Sequence, residues 1–285
     1  MPPRNSWLYT VIVALVLCLV CSALVSIAAV SLNGIQQKNK ELDKRKNILL
    51  AAGLCEPGTS ASEVAATYEK TIVEMLVDLD TGQIVDVAKP GEKKSAGEAN
   101  KTAAPASEGD QKATEEPAAV TLASYDPRKA AKNPKTRDPV EPAGALPGIA
   151  YREPYASIYE IREDGKTTGY ILPIYGKGLW STLYGFLALE ADKETVRGIT
   201  YYSHAETPGL GGEVDNAGWK ALWPGKKVYE DSGEVGLSVI KGKASEDDSY
   251  AIDGLSGATI TSNGVDDMIK YWLGPTAFGK YLAAK

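Results

Sequence analysis

The chain has 285 residues, with 37 acidic and 31 basic side chains and a formal net charge of -6 when histidine is neutral. This acidic balance argues against a nucleic-acid partner, because phosphate binding needs clustered Lys and Arg. Three cysteines are too few for a disulfide framework or for a four-cysteine iron–sulfur cluster. The single histidine excludes a metal site built from several histidines of this chain.

The amino-terminal segment predicts a membrane helix. A short tail, residues 1–6, precedes residues 7–32, which hold no charged side chain. About 20 apolar residues cross a bilayer as a helix, whereas the apolar part of a cleaved signal peptide usually has about 7–15. A signal peptide cleaved after Ala28 is the alternative, and the length favours a retained anchor. Cys18 and Cys21 lie inside the span and are interpreted as small apolar helix residues.

The charges that flank this span indicate one orientation. Arg4 and the amino terminus lie before it. The basic residues that follow it are more numerous: Lys38, Lys40, Lys44, Arg45 and Lys46. Read alone, the positive-inside rule keeps the rest of the chain in the cytoplasm.

A membrane-proximal region, residues 33–88, is predicted to hold helices and a hairpin. One helix continues over residues 33–54, a second begins near Ser60, and the hairpin joins residues 71–79 to 83–87. Residues 89–147 form an insertion rich in Ala, Pro and Lys that carries half of the chain's 16 prolines. We predict that at least residues 89–120 are disordered, because they cannot bury enough apolar surface to offset their ordering entropy.

Residues 148–285 predict a domain of the α+β class. Hairpins of β-branched and apolar residues are separated by short turns, and helical patterns lie between and after them, which is typical of an antiparallel sheet with helices. The predicted strands are 155–162, 168–175, 183–190, 196–203 and 235–240, and the predicted helices are 215–223 and 262–273.

The stretch from Asp253 to Val265 is the first candidate site. The hydroxyls of Ser256, Thr259, Thr261 and Ser262 precede a helix that Ser262 is predicted to cap. Free amides and the positive end of the helix dipole favour an anion at such a place. An ordinary loop that leads into a capped helix is the alternative, and the residue pattern alone favours that alternative.

Two further stretches could line a ligand. Residues 204–212 are rich in glycine, but Val214 stands where a dinucleotide fingerprint needs its last glycine. His204 beside Glu206 could act in acid–base chemistry, although no nucleophile accompanies them. In residues 176–185, Trp180 and Tyr184 offer flat apolar surfaces of the kind on which a flavin ring stacks, and they could equally be core aromatics.

Four motifs in order resemble one family, the C subunit of the bacterial sodium-translocating NADH:quinone reductase. They are Gly-Lys-Gly-Leu-Trp-Ser-Thr at 176–182, Glu-Thr-Pro-Gly-Leu-Gly-Gly at 206–212, Leu-Trp-Pro-Gly-Lys-Lys at 222–227 and Asp-Gly-Leu-Ser-Gly-Ala-Thr at 253–259. The resemblance covers most of the chain apart from the insertion, which is longer than the family leads us to expect.

The resemblance implies that FMN is bound covalently, as a phosphoester on Thr259. It also implies that a separate flavin transferase forms this bond from FAD. The residues that would shape the attachment loop and seat the phosphate are Asp253, Ser256, Gly257 and Ala258. Those that would surround the flavin ring are Trp180, Glu206, Thr207 and Leu210, with Lys241 a further candidate. The resemblance assigns no catalytic residue and no metal ligand to this chain.

The implied function is electron transfer within a membrane complex that oxidises NADH, reduces ubiquinone and exports Na⁺. The implied partners are flavin, iron–sulfur and membrane subunits and the lipid of the bacterial inner membrane. The family places the flavin domain on the periplasmic side, against the charge pattern. Two alternatives remain: the G subunit of the related ferredoxin:NAD electron-transport complex, and a membrane-tethered binding protein without redox function.

Overall fold

The computed structural model describes residues 7–87, 120–122 and 124–284. The segment predicted to be disordered, 89–120, lies outside the described residues except for its last residue. Chain contacts divide the described residues into two units, 7–43 and 44–284.

The first unit consists of most of one long helix, α1 (Trp7–Ala51, 45 residues). Its apolar part, residues 7–32, spans about 39 Å at a rise of 1.5 Å per residue, and the hydrocarbon core of a bilayer is about 30 Å thick. The side chains of residues 10–32 are exposed, and the helix is long and apolar enough to cross a membrane. The predicted apolar helix is therefore confirmed, and it continues without a break to residue 51.

The second unit begins with the last turns of α1. Helix α2 (Ala61–Thr71) follows, and its start is fixed by a capping box. The Glu63 amide donates to the Ser60 hydroxyl, and the Ser60 amide donates to the Glu63 carboxylate at 3.1 Å. Because each residue satisfies an amide of the other, the predicted helix start at Ser60 is confirmed.

A six-stranded antiparallel sheet is the centre of this unit, with the strand order β2-β1-β5-β6-β7-β8. The strands are β1 (Ile72–Asp78), β2 (Ile84–Val87), β3 (Asp138–Pro139), β4 (Tyr151–Arg152), β5 (Tyr155–Glu163), β6 (Lys166–Lys177), β7 (Thr182–Glu190), β8 (Val196–Ser203), β9 (Ser238–Val239) and β10 (Ala251–Ile252). The helices after α2 are α3 (Pro127–Lys132), a 3₁₀ helix (Gly211–Asp215), α4 (Ala217–Lys220), α5 (Thr259–Leu273) and α6 (Gly279–Ala283). The predicted α+β class and the three predicted hairpins are confirmed.

One face of the sheet packs against α5. Alternate strand residues such as Leu172 and Leu187 are fully buried in a core that includes Met268 and Trp272 of this helix. Trp272 also donates its indole N–H to the carbonyl of Tyr175 on β6, at 2.7 Å. Each fully buried apolar side chain contributes about 1.5–3 kcal/mol, so this face holds α5 firmly on the sheet.

The opposite face of the sheet is covered by the end of α1. Ile48 and Leu49 are fully buried there, as are the strand residues Tyr159 and Phe186, whose rings meet edge to face. Arg197 of β8 donates to the carbonyl of Ala52 at 2.8 Å. Because both faces are covered, most strand residues are buried rather than alternating between core and solvent.

The sheet joins two regions that the sequence treats separately. Strand β1, from the membrane-proximal region, pairs along its whole length with β5 of the predicted 148–285 domain. Within the insertion, α3 is held on the sheet by Arg128, whose guanidinium lies 4.2 Å from the Tyr184 ring and donates to the Tyr202 hydroxyl at 3.1 Å. The boundaries at 88 and 148 therefore do not separate independent folding units.

Two predicted elements are shorter than expected. The helix expected over residues 215–223 is a 3₁₀ helix followed by the four residues of α4. Asn216 interrupts it, because its side chain accepts from the Gly218 amide at 2.8 Å and starts a new helix. The strand expected over residues 235–240 is only β9, which pairs in parallel with β10.

A carboxyl group is buried between β4 and β5. Glu153 is 5% exposed and accepts from the Tyr175 hydroxyl at 2.6 Å. Burial raises the pKa of Glu153 to about 7, and the Tyr175 hydrogen bond and the charge of Arg152 offset this only in part. The folded protein therefore keeps this group protonated over a range in which the unfolded chain releases the proton.

We expect Glu153 to make stability fall as pH rises. Its folded pKa lies above its unfolded value, so its stabilisation is complete below the unfolded value near 4.5 and is lost as pH passes about 7. Between pH 5 and pH 8 the loss is about 2–3 kcal/mol. Urea unfolding of the detergent-solubilised chain at both pH values measures it. The Glu153→Gln variant, which cannot titrate, should lack this component; an equal pH dependence in both proteins contradicts the assignment.

Candidate functional site

The start of α5 lies three residues earlier than predicted. Ala258 precedes the helix, Thr259 is its first residue, and no side chain caps it. The first helical hydrogen bond runs from the Ser262 amide to the Ala258 carbonyl, at 2.9 Å. Ser262 is therefore inside the helix rather than its cap, and the amides of residues 259–261 precede the first helical bond.

The four hydroxyls of this segment separate into two pairs. Ser256 and Thr259 are exposed, and neither side chain makes a hydrogen bond within the described part of the chain. Thr261 is 1% exposed and Ser262 is 4% exposed. The Ser262 hydroxyl accepts from the Leu255 amide at 2.9 Å and donates to the Ala258 carbonyl. Only the first pair is available to a ligand or to a modifying enzyme.

Glu206 connects three parts of the site. Its carboxylate accepts from the backbone amides of residues 179–181 at 2.9–3.2 Å and from the Ser181 hydroxyl at 3.0 Å. The Thr261 hydroxyl donates to the same carboxylate at 2.8 Å. The β6–β7 loop, the loop after β8 and the first turn of α5 therefore meet at one side chain.

The carboxylate of Glu206 is ionised although it is 5% exposed. Burial alone raises its pKa, but the hydrogen bonds from Thr261, Trp180 and Ser181 outweigh burial and hold the pKa below its ordinary value. A buried charge needs such partners, because an unpaired one is costly. The sequence placed Glu206 beside the flavin ring; the structure uses all its described hydrogen bonds within the protein.

Two glycines allow the loops to approach this carboxylate. A β-carbon on Gly178 would lie 2.6 Å from Glu206 Oε1, and one on Gly211 would lie 2.6 Å from Thr261 Oγ1. Both distances are far shorter than a van der Waals contact. The glycines of the two sequence motifs are thus explained by close approach rather than by phosphate binding.

Large apolar side chains are exposed around this junction. Trp180 is 67% exposed, Ile260 58%, Leu179 46% and Leu210 44%. Leu210 lies against the attachment loop, since a β-carbon on Gly257 would be 3.1 Å from its Cδ2. Leu179 and Ile260 were not among the predicted site residues. Ile260 could have been found, because it lies outside the buried stripe of α5.

The other predicted residues have separate places. Thr207 is exposed, and its carbonyl accepts from the Leu210 and Gly212 amides. Asp253 accepts from the Ala244 amide at 2.8 Å, which ties the attachment loop to the segment after Lys241. Its carbonyl accepts from the Trp219 indole, also at 2.8 Å. Asp253 therefore supports the loop from behind.

His204 is a structural residue of the loop after β8. Its Nδ1 accepts from the Glu206 amide at 3.2 Å, so its Nε2 carries the proton and donates to Asp215 at 2.8 Å. These two bonds hold the backbone of Glu206. The acid–base interpretation has no support from this geometry.

Comparison with known proteins agrees with the site. The family model of the FMN-binding domain matches residues 178–274, which contain Glu206, Thr259 and the loops that meet at them. The C subunit of the Na⁺-translocating NADH-quinone reductase of Pseudomonas aeruginosa is 42% identical over 99% of this chain and 97% of its own length. The corresponding protein of Yersinia pestis is 40% identical over 98% of this chain and 94% of its own length.

Solved structures share the fold. The crystal structure of Shewanella oneidensis NqrC has a TM-score of 0.67 and 30% identity, and the match covers 86% of this chain and 97% of that chain. The crystal structure of the C subunit of the reductase from Parabacteroides distasonis has a TM-score of 0.60 and 28% identity, over 89% of this chain and 98% of that chain.

The fold and the site define a protein with an FMN-binding domain and a helix long enough to cross a membrane. The chain belongs to the family of the C subunit of the Na⁺-translocating NADH-quinone reductase, and it matches these relatives over nearly their whole length.

We expect Gly211→Ala to destabilise the domain by about 1–3 kcal/mol, because the added methyl group would overlap Thr261 and Glu206. Thermal unfolding measures the change. Gly58→Ala is the matched control, since a β-carbon at Gly58 meets nothing within 4 Å. Equal melting temperatures for the two variants would show that the loops are not packed as tightly as described.

Proposed function

We propose that this chain is the FMN-carrying electron-transfer subunit of a Na⁺-translocating NADH-quinone reductase and that it holds FMN as a phosphoester on Thr259. One observation carries the proposal. Thr259 presents an exposed hydroxyl with no partner among the described residues at the uncapped start of α5, whereas the neighbouring Thr261 hydroxyl is buried and bonded to Glu206.

The start of α5 suits a phosphate. The amides of the first turn have no carbonyl partner within the helix, and the helix dipole is positive at this end. No side chain competes for these amides, because Ala258 provides no cap. An anion esterified to Thr259 therefore meets unpaired donors without needing a Lys or Arg.

The surroundings of Thr259 also suit a flavin ring. Trp180, Leu210 and Ile260 expose apolar surface beside the attachment loop, and a planar ring would cover it. Thr207 and Lys241 flank the same loops and are proposed as polar neighbours of the ring. Bound FMN would accept and donate electrons, and the protein would hold it in place and shape its environment.

Attachment requires a separate enzyme. Within the described residues, no titratable side chain is hydrogen-bonded to Thr259, so no group of this chain is placed to activate its hydroxyl. We propose a flavin transferase that uses FAD. The Thr259 oxygen forms a bond to the FMN phosphorus, the pyrophosphate bond breaks, AMP leaves, and the hydroxyl proton passes to the transferase or to solvent. Electrons reach the attached flavin from other subunits of the complex.

We propose that residues 7–32 cross the inner membrane and that the flavin domain lies on the periplasmic side. Supporting this orientation, Glu41 and Asp43 offset part of the positive charge after the span, so the charge rule carries little weight here. Family resemblance gives the periplasmic side, where the transferase would also act.

Thr259→Ala should abolish covalent flavin, whereas Thr261→Ala should retain it at the end point of labelling. Each full-length variant is co-expressed with a flavin transferase, and flavin fluorescence is measured in a denaturing gel, which only covalent flavin survives. Thr261→Ala is the matched control because it removes the nearest other threonine hydroxyl. Fluorescence in Thr259→Ala, or its absence from wild type, would refute the attachment site.

The orientation predicts which face of the membrane exposes the β5–β6 turn. Lys166→Cys, in a chain whose own cysteines are replaced by Ala, should react with a membrane-impermeant maleimide in intact cells whose outer membrane is permeabilised. Arg4→Cys, before the span, should react only after the inner membrane is also opened. The reverse pattern would place the domain in the cytoplasm.

A further inference from the structure

The hydrogen bond between Thr261 and Glu206 has a geometric consequence for Thr259. Thr261 is the third residue of α5, and its side chain is directed into the protein, where its hydroxyl meets the carboxylate at 2.8 Å. Successive residues of an α-helix are rotated by about 100°, so residues two apart are about 200° apart around the axis. Holding Thr261 inward therefore directs Thr259 outward, and Thr259 is exposed.

The carboxylate that receives this bond is itself fixed from other directions. The amides of Leu179, Trp180 and Ser181 converge on it, and the His204 ring holds its backbone amide. Thr261 thus meets an acceptor that cannot move freely. The same contacts place the exposed Trp180 beside the first turn of α5.

We propose that Glu206 is a positioning residue for flavinylation: through Thr261 it sets the rotation of the first turn of α5 and so presents the Thr259 hydroxyl to the flavin transferase. This inference rests on the proposed attachment of FMN at Thr259. Glu206 touches neither the attacking oxygen nor the bond that breaks. It acts by reducing the number of orientations that the acceptor hydroxyl can adopt.

The test measures the rate of flavin transfer rather than its end point. Full-length apoprotein, expressed without transferase and solubilised in detergent, is mixed with purified transferase and FAD, and covalent fluorescence is followed to give kcat and KM for the apoprotein. Thr261→Val, which removes the hydroxyl and keeps the shape, should lower kcat/KM about tenfold or more. Thr261→Ser, which keeps the hydroxyl, should stay within about twofold of wild type.

A double-mutant cycle identifies Glu206 as the partner. Glu206→Ala should lower kcat/KM at least as much as Thr261→Val does, and adding Thr261→Val to Glu206→Ala should change the rate less than about twofold, because the bond is already absent. Glu213→Ala is the matched control; this carboxylate lies in the neighbouring 3₁₀ helix and bonds Asn216. It should label at the wild-type rate.

Peptide mass spectrometry confirms that Thr259 carries the flavin in every labelled variant, and thermal unfolding shows which variants fold. If Glu206→Ala fails to fold, the contrast between Thr261→Val and Thr261→Ser decides the question. Equal rates for those two variants, or effects of Glu206→Ala and Thr261→Val that multiply, would overturn the inference. Wild-type apoprotein that accepts no flavin would instead refute the proposed function.

Discussion

The structure of the site depends on one buried, ionised carboxylate. Glu206 is surrounded by amide and hydroxyl donors from three separate segments, which stabilise its charge in a place that excludes water. Because a buried carboxylate is costly without such donors, each segment is held where its donor reaches the carboxylate. The attachment turn and the exposed apolar loops are thereby fixed relative to one another, although they are distant in the sequence.

The sheet gives this junction a rigid base. Trp272 and Met268 pack α5 on one face, and the end of α1 covers the other. The first turn of α5 extends beyond this packing and is positioned by Thr261 instead. Rigid support below and an exposed turn above are what a carrier of a tethered cofactor needs, because the cofactor must keep its place and still be reached by its partners.

Attachment and redox chemistry are assigned to different groups in this arrangement. In the proposed function Thr259 holds the phosphate, and the apolar side chains around it face the ring. Membership of this family explains why the chain has no visible NADH or quinone site among its described residues, since its relatives are named as single subunits of a larger reductase. The insertion leaves this arrangement intact, because its described part packs on the sheet through Arg128, away from α5.

The sequence by itself determined the apolar helix, the three hairpins, the capping box at Ser60 and the family, because each depends on local periodicity, on turn residues or on continuous motifs. Thr259 was singled out by its motif, yet the motif could not say which of four hydroxyls is exposed. The tertiary structure decided that, by burying Thr261 against Glu206 and beginning α5 at Thr259. It also changed the interpretation of Glu206 and His204 from ligand or catalytic groups to supports. Those roles depend on contacts between residues 25 to 55 positions apart, and such contacts leave no periodic trace in a single sequence.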